Sequence, residues 1–286
     1  MVVGTGAMAP EIAAACAAAG MSVRIAGRSA ERAEEARRRA AEIGANAEAA
    51  AIGAPVFAGA DLVLETVVED LEVKRALLAR IEPWCAAETA IATNTSSLGI
   101  ADIASALARP ERLAGLHFLK PAHLTAVVEV VPGPRTAPAV MDALVEVAAR
   151  MGKAPLVVRA DAPGFIWNRI QFAVLRECLH MLEAGIADAA DIDAAVSDGL
   201  APRWTAAGPL ATADLGGLAT FALVAGLLQP HLSDVHDVSP ELTERAASGR
   251  PFAEWTATGG AAVGDLRAAA LSAGREIAEQ RRRLGA

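Results

Sequence analysis

No apolar run reaches the ~18 residues that a membrane-crossing helix needs, so no transmembrane segment is expected. Positive charge is also in deficit: 26 Lys and Arg stand against 34 Asp and Glu, a formal net charge of −8. A nucleic-acid partner demands a basic face, and none is expected here. Cysteine is scarce, and Cys16, Cys85 and Cys178 are odd in number, scattered and without CxxC spacing. They read as reduced core thiols of a cytoplasmic protein. No pair of histidines has metal-ligand spacing, so no metal is expected. The Ala-rich run at 13–19 has no basic lead or plausible cleavage context and follows a glycine loop, so no targeting segment is expected.

What is present is a chain of 286 residues, 53% apolar, long enough for one large domain or two ordinary ones. The first ~160 residues alternate short β-branched runs with helical patterns, as a parallel α/β sheet does. Val2-Val3 runs into the loop Gly4-Thr5-Gly6-Ala7-Met8-Ala9, and a helix is expected over 10–19. Met1 stands only three residues before Gly4, so this first strand is either truncated or begins from an upstream start. A second strand is expected over 22–26, a charged helix over 30–43, and a weak strand signal lies at Val56-Phe57. Stronger strands follow at 61–66, 90–93, 113–118 and 127–131, then a helix at 138–151 and a strand at 155–158.

The pattern changes at Asp161-Ala162-Pro163-Gly164. Helical period without β alternation then runs over 165–184, and helices are expected at 188–198, 212–228, 239–248 and 262–283. The expected organisation is a Rossmann-type dinucleotide-binding domain over 1–160 and an all-α domain over 161–286.

A dinucleotide fold needs one glycine for the tight strand-to-helix turn, another where backbone meets the pyrophosphate, and a third small residue for close helix packing. Gly4, Gly6 and Ala9 fill those places, and the N–H groups around Ala7 and Met8 at the helix start are suited to a diphosphate. About twenty residues on, an acid normally accepts from the adenosine ribose. Here the second strand ends Ala26-Gly27-Arg28-Ser29. With no carboxylate at 27, Arg28 can offer a 2′-phosphate a cationic fork, which favours NADP over NAD. Alternatively Arg28 faces solvent, and Ser29 either adds a hydroxyl to that site or caps the next helix.

Alcohol oxidation needs a base for the hydroxyl proton, and histidine suits that reversible transfer. His117 closes an expected strand at the carboxyl edge of the sheet, where ligands bind in open α/β folds. Glu129, twelve residues on, lies on the next strand, where it can hold the imidazole's other nitrogen and raise its basicity. Ser96 reads as a turn residue or a substrate donor, and Asn168 as a helix-surface amide or a donor.

The ordered set 60–70, Lys74, Thr93-Asn94-Thr95-Ser96-Ser97-Leu98, Gly115-Leu116-His117-Phe118, Val128-Glu129-Val130-Val131 and Pro163-Gly164-Phe165-Ile166-Trp167-Asn168-Arg169 resembles the L-3-hydroxyacyl-CoA dehydrogenase family. The resemblance runs from the glycine loop to about residue 255. Residues 131–138, Asn168-Arg169-Ile170-Gln171, Ser197-Asp198-Gly199-Leu200, Arg203-Trp204 and Gly208-Pro209-Leu210 look closer to the lambda-crystallin/L-gulonate dehydrogenase branch. The resemblance implies NAD(P)-dependent interconversion of an L-3-hydroxyacyl thioester and its 3-oxo form. It assigns His117 and Glu129 the catalytic pair, Ser96 and Asn168 the substrate oxygens, and Glu69, Lys74 and Asn94 the nicotinamide side. It also implies a homodimer through the helical domain, burying faces such as 221–228.

Departures from the family pattern bear on the substrate. Leu119-Lys120-Pro121 stands where the family has an aromatic followed by Asn-Pro. Lys120 could bind the carboxylate of a free hydroxy acid such as an aldonate, which a thioester lacks. The short Ala-rich region after the second strand shows no CoA-contacting pattern. A non-catalytic, crystallin-like dinucleotide binder is the remaining alternative. His123 reads as a loop residue near the site mouth.

Overall fold

Alternation along each strand decides which helices cover which face of the sheet. In the computed structural model, which describes residues 1–252 and 257–284, eight strands form one sheet: β1 (Val2–Val3), β2 (Arg24–Gly27), β3 (Glu48–Ala51), β4 (Leu62–Glu65), β5 (Ala90–Thr93), β6 (Leu113–Phe118), β7 (Val127–Pro132) and β8 (Ala154–Val157). Their order is β3-β2-β1-β4-β5-β6-β7-β8. All pairs are parallel except β6 with β7. Val2, Ile25, Leu64, Leu116 and Val130 point to one face and share one core with residues of α1 (Met8–Ala18) and α2 (Ala30–Glu42). Val3, Ala26, Val63, Ile91 and Val131 point to the other.

Between β3 and β4 lies one helical turn, α3 (Ala54–Phe57), and α4 (Leu71–Ile81) follows β4. The second face carries α4 and α5 (Ile100–Ala104), while Leu144 and Ala148 of α6 (Pro138–Arg150) join the first core. The strand signal at Val56-Phe57 is thus corrected: those residues belong to α3, which starts after Gly53 with Pro55 in its first turn, where a missing N–H is harmless. The neighbouring strand is instead the Ala-rich β3, whose small side chains carry almost no β signature.

The chain divides into two units, Met1–Arg169 and Ile170–Ala286. The first extends past the boundary expected near 160 because Ile166, Trp167 and Asn168 are hydrogen-bonded to Glu129 and Ser96. The helix α7 (Trp167–Glu183) leads into the second unit, which contains α8 (Ala189–Ala194), a π-helical stretch Ala195–Leu200, α9 (Ala201–Ala206), α10 (Pro209–Gly216), α11 (Leu218–Leu228), α12 (Pro240–Ser248) and α13 (Ala257–Leu284). The single helix expected over 212–228 is two, broken at Gly217, whose φ of 90° an L side chain rarely adopts. Side chains cap α8 and α12: Asp188 accepts from Asp191 N–H and Ser239 from Leu242 N–H. Among the described residues no single helix is long and apolar enough to cross a membrane.

Candidate active site

The antiparallel pairing of β6 with β7 sets His117 directly opposite Glu129, so two side chains twelve residues apart become cross-strand neighbours. His117 Nδ1 lies 2.6 Å from Glu129 Oε2, and both residues are almost wholly buried. The other carboxylate oxygen accepts the N–H groups of Ile166 at 2.8 Å and Trp167 at 2.9 Å. Gly164 and Phe165 aim those groups by both taking left-handed backbone, φ 78° and 50°. An aromatic residue at positive φ is a genuine outlier, costing about 1–3 kcal/mol. It is sustained because Phe165 is buried and sets its ring edge-on to the imidazole, centroids 5.6 Å apart.

Burial opposes ionisation of Glu129. The hydrogen bonds from His117, Trp167 and Ile166 outweigh it and hold the carboxyl below the usual range. An ionised Glu129 can only accept, so Nδ1 of His117 must carry the proton and Nε2 is the basic nitrogen. That nitrogen lies 3.1 Å from Ser96 Oγ, and Asn168 Nδ2 donates to the Ser96 carbonyl at 3.0 Å. The structure therefore brings His117, Glu129, Ser96 and Asn168 together. Asn94 stands behind them, its Oδ1 accepting from Phe118 N–H at 2.8 Å.

The connectivity Ser96–His117–Glu129 matches that of an acyl-transfer triad, but the surroundings do not. The Ser96 and Ser97 N–H groups, the natural donors for an oxyanion, both donate to Glu69 Oε1. A carboxylate stands where negative charge would have to develop. What this arrangement can do is move a proton at Nε2.

The glycine loop lies between β1 and α1, where the sheet order reverses and such folds place their ligand. A Cβ on Gly4, φ 138°, would lie 2.4 Å from the Thr66 carbonyl oxygen, whereas a Cβ on Gly6 would meet nothing within 4 Å. Space over Gly6 is thus open to a ligand. No side chain caps the start of α1, with Ala7 at the N-cap, Met8 following and Ala9 buried against the sheet. Those features fit a diphosphate. A Cβ on Gly27 would lie 2.8 Å from Thr5 Cγ2 and 3.1 Å from Ala33 N, so a side chain there requires these neighbours to shift. Arg28 is exposed beside it, and Ser29 caps α2 by accepting from Arg32 N–H.

Glu69 is exposed, as a loop acid is, whereas Lys74 sits deeper than a helix-surface lysine would. Lys74 is buried and ion-paired to Glu65 and Glu69. Sequence reasoning gave no role to Glu65, although an acid closing an apolar strand at the carboxyl edge was a signal. It also missed the supports of the loop 119–126. Glu11 of α1 accepts from Ala122 N–H at 2.6 Å, and the buried Lys153 donates to the Thr125 carbonyl at 2.5 Å. Lys120 is exposed on that loop, before a cis bond to Pro121, and His123 is half-buried within it.

Residues 1–162 match the family described as 3-hydroxyacyl-CoA dehydrogenase, NAD binding domain, and residues 164–260 match its C-terminal domain. A Mesorhizobium japonicum protein, 5-formyl-3-hydroxy-2-methylpyridine 4-carboxylate 5-dehydrogenase, is 33% identical over 67% of this chain. The human mitochondrial hydroxyacyl-coenzyme A dehydrogenase is 37% identical over 69%. The similar segment spans 62% of the length of each of these two relatives. A crystal structure of the pyridine carboxylate dehydrogenase, described as an NAD+ dependent dismutase, superposes with a TM-score of 0.90 at 29% identity, covering 97% of both chains.

Proposed function

The chain belongs to the 3-hydroxyacyl-CoA dehydrogenase family, and from that premise we propose that it interconverts an L-3-hydroxyacyl thioester and its 3-oxo form. The observation carrying this reading is the relay from Ser96 Oγ through both nitrogens of His117 to Glu129. A dinucleotide whose diphosphate is held by the glycine loop would supply its nicotinamide as the hydride acceptor. His117 Nε2 takes the proton of the substrate hydroxyl, and Glu129 stabilises the imidazolium that results. Ser96 and the Asn168 amide hold the reacting oxygen and the neighbouring carbonyl. Replacing His117 with Gln is expected to lower kcat by about 10²-fold or more while dinucleotide still binds, as read by cofactor fluorescence. Turnover near the wild-type rate would overturn the base assignment.

A free carboxylate substrate is the second reading. It is favoured by the full-length likeness to a pyridine carboxylate dehydrogenase and by the exposed Lys120, three residues after the base. The two readings separate on a panel of 3-hydroxybutyryl-CoA against free 3-hydroxy acids, with Lys120→Asn as a variant. Selective loss of the acids in that variant supports the second.

Within the NAD-type cofactors we favour NADP, because Gly27 stands in the place of the ribose-binding acid and Arg28 is exposed beside it. NADH and NADPH titrations of the wild type and of Arg28→Ala test this choice. The variant should weaken NADPH alone. The free thiols of Cys16, Cys85 and Cys178 fit a cytoplasmic setting. The apolar side chains that α10 and α11 leave exposed, among them Leu210, Leu215, Leu223 and Leu227, fit a homodimer interface.

A further inference from the structure

The loop 119–125, which follows the candidate base, is held from outside at two points that the chemistry above leaves without a role. Within it, the Leu124 and Thr125 N–H groups both donate to the Pro121 carbonyl at 3.1 Å. The Thr125 hydroxyl donates to the Leu119 carbonyl at 3.3 Å. The loop is therefore a turn closed on itself, which moves as one piece. From one side the buried Lys153 donates to the Thr125 carbonyl at 2.5 Å. From the other, Glu11 Oε2 accepts from the Ala122 N–H at 2.6 Å.

Glu11 lies in the first turn of α1, the helix that the glycine loop runs into. Ala122 is wholly buried, so water has no access to its N–H in place of the carboxylate. A buried N–H without a partner is costly, and one bonded to a carboxylate is held more tightly than one bonded to a carbonyl. A single helical turn thus presents backbone N–H groups where a diphosphate fits and its acid to the loop beside His117.

We propose that Glu11 is the positioning residue of the 119–125 loop and, through it, a determinant of substrate affinity. This rests on the reading that His117 is the base, which makes the loop after β6 a wall of the substrate's place. Lys120, two residues before Ala122, is carried by the same turn. Lys153 holds the end of the loop at Thr125, so loss of Glu11 frees the end that bears Lys120 while β6 and β7 stay paired. The loop meets the substrate away from the reacting carbon. Its displacement weakens ground state and transition state alike, which raises KM and spares kcat.

The test uses the full-length protein with Glu11→Ala, Glu11→Asp and Glu11→Gln. Hydrogen–deuterium exchange over residues 118–126 reads the loop directly, and thermal melting follows the fold. The constants kcat and KM are measured with 3-hydroxybutyryl-CoA and with free 3-hydroxybutyrate, and cofactor affinity by NADH and NADPH fluorescence titration. In Glu11→Ala the Ala122 amide is expected to exchange about tenfold faster or more. KM for the better substrate should rise about tenfold, with kcat within about threefold of wild type. Dinucleotide affinity should not weaken, since the lost group is an anion near a helix start that suits a diphosphate. Glu11→Asp keeps the charge but is one methylene too short to reach Ala122. It should behave as the alanine variant, and it carries the test if that variant does not fold. Glu11→Gln keeps the reach and an acceptor oxygen, and should recover most of both losses. Unchanged exchange at Ala122 would overturn the positioning role. Faster exchange with KM unchanged for both substrates, or weakened dinucleotide binding at unchanged KM, would overturn the role in substrate affinity and leave the base assignment standing. Wild-type turnover in His117→Gln would overturn the underlying reading and the inference with it.

Discussion

At the scale of single residues, the proton on His117 is placed by its partners. Glu129 is held ionised by the imidazole N–H and by two backbone N–H groups, which leaves Nε2 as the free base. Glu129→Gln is nearly isosteric but reverses this logic. The amide oxygen can satisfy Ile166 and Trp167, and the amide NH₂ then faces Nδ1, moving the imidazole proton to Nε2. Steady-state kinetics should show kcat reduced by about 10²–10⁴-fold, with cofactor affinity retained. An unimpaired variant would mean that the tautomer is set elsewhere. Glu69 yields a pH dependence. Burial raises its pKa, but hydrogen bonds from Thr95 and Ser96, the charge of Lys74 and the Ser97 N–H bring it from the ordinary 4.5 to about 2. A depressed folded pKa contributes stability that is complete above the unfolded value and lost as pH falls through the folded one. The difference in Tm between wild type and Glu69→Gln should therefore hold steady above about pH 5 and close towards about pH 2. A difference that persists undiminished at the acid end would contradict the assignment. His117 and Glu129 were legible in the sequence because a histidine at a strand end followed by an acid on the next strand has a chemical meaning. Phe165 was not, since its role lies in the imidazole of His117, distant along the chain.

Elements show a similar division. The glycine loop was readable from spacing, but spacing does not distinguish its glycines. Gly4 serves the protein, because a side chain there collides with Thr66 backbone and sits at φ 138°. Gly6 serves the ligand, having open space around it. Gly4→Ala is expected to destabilise by about 2–5 kcal/mol, measured by denaturant unfolding. Gly6→Ala should leave the melting temperature unchanged while weakening dinucleotide binding about tenfold or more. Equal thermal losses in the two variants would refute that division of labour. Strands rich in Val, Ile and Leu declared themselves, and β3 did not, because alanine packs into a tight layer without any strong backbone preference.

At the scale of the whole molecule, burial separates the two units. Side chains in the first disappear into two cores on either side of the sheet, whereas in the second Leu223 and Leu227, on one face of α11, stay 66% and 69% exposed. Covering leucines contributes about 1.5–3 kcal/mol each, so a face this apolar is expected to be matched by a second copy. Leu223→Glu together with Leu227→Glu should convert a dimer to a monomer by light scattering on a sizing column. A wild-type protein that is already monomeric at assay concentration would rule the interface out. The sequence by itself determined the alternating α/β pattern, the change to helices after about residue 160, the glycine loop and the identity of the candidate base and its carboxylate. These follow from local periodicity and from residue chemistry, which a linear chain displays. Only the tertiary structure decided that β7 runs antiparallel to β6 and so seats Glu129 opposite His117. The same holds for Lys74 being buried against Glu65, and for Glu69 accepting from the N–H groups of the Ser96 turn. Such features depend on hydrogen bonds and excluded volume between residues far apart in the chain, and no local pattern records them.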